Sequence, residues 1–280
     1  PYLCPSMNVD YLRLGNRMDN ALKHPAINGL YLPAPVPDET FRDEFGFVFL
    51  DDGSIGPFYV SMGDILQNLW RRYAEPSRVN KPASGFLQGF VQQDITERAL
   101  AVGTYNAMSA ACMRQAGFVP PDRAPQSGLD AIDDGDRVGM VGYFCPLVDR
   151  LVARGCEVVM LELAPERVTG RDDITLISSV EGLLDCRLVL CTASTLINDT
   201  LQPLLNVVAG KVPVELVGPS GSGLPDPLFS RGVTSVGGIQ FDDRDMLVEL
   251  LEHGESWGAA GRKYQLAPYT YPGIDSLLRD

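Results

Sequence analysis

Histidine is almost absent: the 280 residues hold two, His24 and His253. The six cysteines (Cys4, Cys112, Cys145, Cys156, Cys186 and Cys191) form no C-x-x-C pair. Zinc sites draw on clustered Cys and His, and disulfide frameworks belong to short secreted chains, so neither is expected. Cys156, Cys186 and Cys191 lie in or beside apolar strand-like runs, where cysteine behaves as a small hydrophobe. Basic charge is also scarce, with 23 Lys and Arg against 36 Asp and Glu and a net charge of −13. Binding to nucleic acid or to an anionic membrane needs Lys/Arg to displace counterions, so neither partner is expected. No apolar run approaches the ~18 residues of a membrane helix. Pro1–Tyr11 has no basic region ahead of an apolar one, so no secretory signal is read there and a reducing, cytoplasmic location is the expectation. The chain opens on Pro and not Met, which leaves its natural start open.

What is present suffices for a sizeable core: 45% of residues are hydrophobic and 21% charged. The length suggests two domains of roughly 150 residues each. Charge divides unevenly between them. Residues 1–120 carry 12 acids and 10 bases, whereas 121–280 carry 24 and 13. Most of those acids are read as solvated surface.

The first unit, placed at 1–122, reads as small and α+β. Phe47–Leu50 and Ile55–Val60 are apolar runs joined by Asp51-Asp52-Gly53-Ser54, the turn chemistry of a hairpin. Ser61, three residues before Asp64, signals a cap ahead of an amphipathic run over Ile65–Tyr73. A longer helix begins near Asp94, with Glu97 in its first turn and Gly117 as its stop. Asn80–Phe86, with the cation Lys81, reads as an irregular connection, and Pro120–Gly128 as the interdomain linker.

The second unit, placed at 134–280, alternates short β-branched runs with helical segments, the pattern of a parallel sheet. Strands are expected at Val138–Val141, Glu157–Leu161, Arg187–Cys191, Val212–Val217 and Thr234–Ile239. A helix runs over Leu147–Ala153 behind Pro146, and another from Asp242 or Asp243 to Gly254. Ligands of such sheets bind beyond the carboxyl ends of the strands. The residues found there are Gly142-Tyr143-Phe144, Glu162, the run Thr192–Thr200 and the run Gly218–Gly223. Glu162 stands 20 residues after Gly142, the offset at which nucleotide-binding units place an acid on ribose hydroxyls. The glycine pattern is G-x-x-G and not G-x-G-x-x-G, so a pyrophosphate cradle is missing. An adenosyl ligand without a pyrophosphate, such as S-adenosylmethionine, tolerates that departure. Capping explains one or two of the polar residues Thr192, Ser194, Thr195, Asn198, Asp199 and Thr200, and leaves the others for a ligand. Gly218 and its neighbours offer backbone N–H groups to an anion but lack the lysine of a P-loop.

Gly139–Phe144, Leu161-Glu162, Thr192–Thr200, Leu216–Pro219 and Gly232–Thr234 occur in this order and resemble the putative heavy-metal-chelation domain family of bacteria and archaea. Gly103-Thr104-Tyr105-Asn106-Ala107 resembles its preceding domain, which is similar to the enolase N-terminal domain. The resemblance implies a Rossmann-like α/β domain behind an enolase-N-terminal-like α+β domain, with a cleft between them. It implies that Asn106, Gly142, Tyr143, Glu162, Ser194, Thr195, Asn198 and Thr200 line that cleft.

The leading functional expectation is a small-molecule enzyme of transfer or cyclisation chemistry in the cleft. S-adenosylmethionine would be held by Gly142, Tyr143, Glu162, Thr192, Ser194, Thr195, Asn198, Thr200 and Gly218, while Asn106, Tyr143 and Asn198 orient the reacting group. The alternative is noncatalytic binding or delivery of a metal or metal–chelator complex, with the metal held by its chelator. A third reading takes the aromatic segment Ser256–Pro272 as a partner surface, although packing onto its own domain is favoured over it. A homodimer is left open.

Overall fold

The computed structural model describes residues 6–35, 43–125 and 127–278. Cys4 and the start of the N-terminal stretch read for a secretory signal lie outside them. The first half runs α1 (Met7–Ala21), β1 (Ala26–Tyr31), β2 (Phe45–Leu50), β3 (Ile55–Tyr59), α2 (Ile65–Arg72), β4 (Lys81–Pro82), α3 (Ala83–Leu87) and α4 (Ile95–Gln115). Its strands form an antiparallel sheet in the order β3–β2–β1–β4. The hairpin turn follows from its residues: Asp52 Oδ1 accepts from Ser54 N at 2.9 Å and Gly53 takes φ +85°. Asp94 caps α4 by accepting from the Thr96 N–H. Glycine lets α4 lie directly on the sheet, since a Cβ on Gly56 would stand 1.9 Å from the Gly103 carbonyl oxygen.

Two local expectations are corrected. Ser61 does not cap α2, because its Oγ accepts from the Glu44 N–H at 2.8 Å. Asn80–Phe86 is not irregular: it contributes β4 and opens α3, and Lys81 sits 5.7 Å from the centre of the Tyr73 ring.

The second half contains β5 (Arg137–Val141), α5 (Cys145–Ala153), β6 (Glu157–Leu161), β7 (Ile174–Ile177), β8 (Leu188–Thr192) and α6 (Leu201–Val208). It continues through β9 (Val214–Val217), α7 (Asp226–Phe229), β10 (Ser235–Phe241), α8 (Arg244–Glu252), β11 (Gly261–Leu266) and α9 (Ile274–Leu277). The sheet order is β11–β10–β9–β8–β5–β6–β7, parallel throughout except for β11 against β10. Without β11 this is the 3-2-1-4-5-6 order of dinucleotide-binding sheets. The chain therefore has the expected architecture, a Rossmann-like α/β sheet preceded by a small α+β unit.

The two halves meet partly over apolar side chains. Phe47, Phe49 and Ile55 of the antiparallel sheet form one core cluster with Ile239, Phe241 and Leu247. Trp257 packs edge-on against Phe45 and Phe241, with ring centres 5.4 and 6.3 Å away. The chain between α4 and β5 is pinned along β11: Pro121 O accepts from Gln265 N, and Gln265 Oε1 from Ala124 N, each at 3.0 Å.

Candidate functional site

Strand order reverses between β5 and β8, which places a topological switch point at their carboxyl ends. Gly142 and Thr192 occupy those ends and touch. Gly142 has φ +84°, and a Cβ there would lie 2.7 Å from Thr192 Cγ2, so both backbone and space require glycine. Its N–H donates to Leu161 O at 3.0 Å, which ties the turn after β5 to the end of β6.

Glu162 follows at that end. Oε1 accepts from the Ala164 N–H at 2.9 Å, which fixes the side chain. Oε2 lies 3.9 Å from Arg167 Nη1 and has no hydrogen-bond partner among the described residues, although only 5% of the side chain is exposed. A buried carboxylate oxygen without a donor is costly unless something supplies one. Arg167 also faces Asp43 at 3.5 Å, and Asp43 accepts from the Tyr59 hydroxyl at 2.8 Å. Tyr59, Asp43, Arg167 and Glu162 thus form a polar chain from the antiparallel sheet to the end of β6. Burial and the Asp43 charge hold the Tyr59 phenol well above its ordinary range, so it stays a donor. Sequence reasoning found Glu162 alone of these four. Arg167 had a weak signal, a cation just behind Pro165, whereas Asp43 and Tyr59 had none.

Tyr143 stands beside Gly142. Its hydroxyl lies 3.4 Å from Arg171, whose guanidinium pairs with Asp149 at 2.7 Å and Asp173 at 2.8 Å. Its pKa is raised, first by hydrogen bonding with Cys145 and then by burial. Cys145 is exposed in the first turn of α5, unlike the buried Cys112 and Cys191, whose thiols burial pushes up to about 12.

The run after β8 spends its polar atoms locally. Thr192 Oγ1 meets Ser194 Oγ at 3.0 Å, and the buried Thr195 donates to Thr192 O at 2.6 Å. Asn198 Oδ1 accepts from both the N–H and the Oγ1 of Thr200, and Asp199 Oδ1 accepts from Asn8 at 2.9 Å. Local turns and one tertiary bond therefore absorb groups that the sequence reserves for a ligand. Thr192 and Ser194 stay nearest the switch point.

Asn106 and the Gly218–Gly223 loop belong to the junction. Asn106 is 2% exposed, and its amide donates to Pro57 O at 2.8 Å and Ser220 O at 2.9 Å. Ser220 Oγ accepts from Tyr59 N, and Tyr105 OH donates to Leu224 O, each at 3.0 Å. The cavity lined by Asn106, Tyr105 and Ser220 holds about 10 Å³, room for one water. Gly218, at φ +119°, turns the chain away from β9 and sits over Ala193.

Residues 127–269, just over half of the chain, match the family DUF364, described as "Putative heavy-metal chelation". The chain belongs to this family. A protein of Methanocaldococcus jannaschii, described only as uncharacterized, is 24% identical over 243 residues, covering 82% of this chain and 89% of that one. Two solved structures share the fold, both described as DUF364 proteins of unknown function. The one from Pyrococcus horikoshii has a TM-score of 0.65 at 19% identity, covering 92% of this chain and 99% of its own. The one from Desulfitobacterium hafniense has 0.64 at 18%, covering 92% and 98%.

The family description raises a metal, and the side chains do not fit one. Among the described residues, no group of three or more His, Cys, Asp or Glu could hold a metal ion. His24 binds Asp19 at 2.6 Å, and His253 Nδ1 lies 2.7 Å from the Glu249 carbonyl. No helix is long and apolar enough to cross a membrane, among the described residues.

Proposed function

We propose that the chain binds an adenosyl-type small molecule at the switch point, on a site formed by Gly142, Tyr143, Glu162 and Thr192. The observation that carries this is Glu162 Oε2, buried beside the sheet end without a hydrogen-bond donor among the described residues. Two ribose hydroxyls are donors of the required kind, and an acid one strand over from the glycine turn is where such sheets place that contact. Gly142, at φ +84° and packed on Thr192, makes the tight turn that ends β5 at this edge. Arg167 and Tyr59 put a cation and a neutral hydroxyl within reach of the same end of β6. S-adenosylmethionine, when bound, supplies an activated carbon for transfer or cyclisation. The protein's part is then to position and to exclude water, which demands no histidine.

Calorimetry with S-adenosylmethionine on the wild type and on Glu162→Gln tests this reading. The wild type is expected to bind, and the variant to lose at least about tenfold, since a hydrogen bond to a charged group contributes ~1.5–3 kcal/mol. Absence of heat with S-adenosylmethionine and with adenosine would overturn it. A metal–chelator complex is the alternative occupant favoured by the family description. Elemental analysis of tag-free protein bears on it, because the described residues hold no three-residue site that would retain a metal without a chelator.

A further inference from the structure

A second groove opens on the other edge of the parallel sheet. β11 runs antiparallel to β10, so the chain after Leu266 emerges at the amino ends of the parallel strands, away from the switch point. The groove lies there between α1 and the segment 268–274, with α7 beneath, and is open to solvent with a volume of about 440 Å³. Small-molecule sites typically hold ~300–1,000 Å³. Leu14, Pro227, Phe229, Tyr271 and Ile274 give it an apolar lining.

Its walls are braced. Pro268 and Pro272 fix their own φ, and Asp226 clamps the far wall by accepting from Tyr271 OH at 2.6 Å and from Ile274 N at 3.1 Å. The groove's own carboxylates are thereby engaged, for Asp10 accepts from Arg231 at 2.7 Å and from Arg13 at 2.8 Å. Arg13 and Arg17 stand one turn apart on α1 at the groove, with side chains 66% and 44% exposed. Arg17 reaches Asp275, itself 78% exposed. Exposed pairs of this kind contribute ~0–1 kcal/mol and exchange readily for another oxyanion. Two arginines one turn apart are common on surface helices; a preformed apolar groove beneath them is what distinguishes this pair.

We propose that this groove is a second small-molecule site, for a compound joining an oxyanion to an apolar body. Arg13 and Arg17 hold the carboxylate or phosphate in fork geometry, and the body lies on Phe229 and Tyr271. A ligand there bridges α1 of the first half and the 268–274 wall of the second.

Calorimetry of the full chain with 4-phenylbutyrate, phenyl phosphate and the neutral 4-phenylbutyramide tests the assignment. At least one anion is expected to bind saturably at one site, and the amide at least about tenfold more weakly, because charge-assisted bonds are lost. Which anion binds tighter distinguishes a carboxylate from a phosphate ester. Arg13→Gln/Arg17→Gln is expected to bring the anions down to the amide's affinity, with an unchanged melting curve. Ser230→Tyr, which fills the groove, abolishes binding of all three. Failure of both anions to saturate at millimolar concentration, equal affinity for anion and amide, or undiminished binding in the double variant would each overturn the proposal.

Discussion

Glu215 stands in the middle of the parallel sheet, on β9, and only 3% of it is exposed. Its Oε1 accepts from the Gly128 N–H, and Oε2 lies 3.4 Å from Gln265 Nε2. Burial pushes its pKa up from the ordinary 4.5 to about 7; the Gly128 N–H opposes this, and Asp130 adds to it. The folded pKa lies above the unfolded one, so protonation favours the folded state. Above pH 7 the carboxylate is charged in both states and the full penalty applies, about 3 kcal/mol at 1.36 kcal/mol per pH unit. As pH falls from 7 towards 4.5 that penalty is relieved and this group's contribution to stability rises. Glu215→Gln removes the titration but sets an amide NH₂ against Gln265 Nε2 or Gly128 N–H, a fixed cost of ~1–2 kcal/mol. Relative to wild type, the variant should be more stable at pH 8 by about 1–2 kcal/mol and less stable at pH 5, crossing near pH 6. Urea unfolding of both proteins across that range reads the difference directly, since all other titrations cancel. A difference that stays constant from pH 5 to 8 would refute a raised Glu215 pKa.

Asn106→Ala should destabilise by about 2–4 kcal/mol in urea unfolding, because two buried carbonyls lose their donor; a cost below about 1 kcal/mol with ligand binding lost would instead give Asn106 to the ligand. Gly142→Ala forces a side chain into φ +84° and against Thr192, so a loss of about 1–3 kcal/mol is expected by thermal unfolding. Gly56→Ala cannot seat its methyl 1.9 Å from a carbonyl oxygen unless α4 moves off the sheet, and it should yield little folded protein by circular dichroism.

The parallel sheet was legible wherever a strand is buried on both faces, since such strands read as continuous apolar runs. The edges were not. β7 is four residues long with half of them exposed, and β11 carries the half-buried Arg262 and the exposed Lys263 ahead of its buried Tyr264 and Leu266. Short, charged strands of that kind protect a sheet edge and resemble solvated loop in sequence. Of the aromatics of Ser256–Pro272, Trp257, Tyr264 and Tyr271 serve packing, Tyr264 buried and donating to Ser222 O at 2.8 Å, while Tyr269 stays 66% exposed. α1 and β1 escaped reading altogether, although Asp10 and Asp19 are buried on α1 through pairing with Arg231 and His24. At the site, Gly142, Thr192 and Glu162 were readable because the βαβ pattern forces them to one sheet edge. Asp43 and Tyr59 were not, for their approach depends on how one sheet docks on the other.

That docking also changes what the proposed site can consist of. The sequence supplies one set of polar residues for two tasks, binding a ligand in a cleft and joining the halves. The bonds give Asn106 to the second task, with Tyr105, Ser109 and Ser220: together they hold the Gly218–Leu224 loop to α4 and β3. What remains for a ligand is the mouth of the junction, where Glu162 keeps an unsatisfied oxygen and Arg167 spans to Asp43. On the proposed reading a ligand at Glu162 lies against the Arg167–Asp43 pair, a charged bridge between the halves like Arg231–Asp10 and Arg17–Asp275. Its binding then raises the free energy of separating them by its own affinity, RT ln(1 + [L]/Kd). The groove under Arg13 and Arg17 also spans both halves, so its ligand acts on the same separation, and the two sites couple only to the extent that the junction opens.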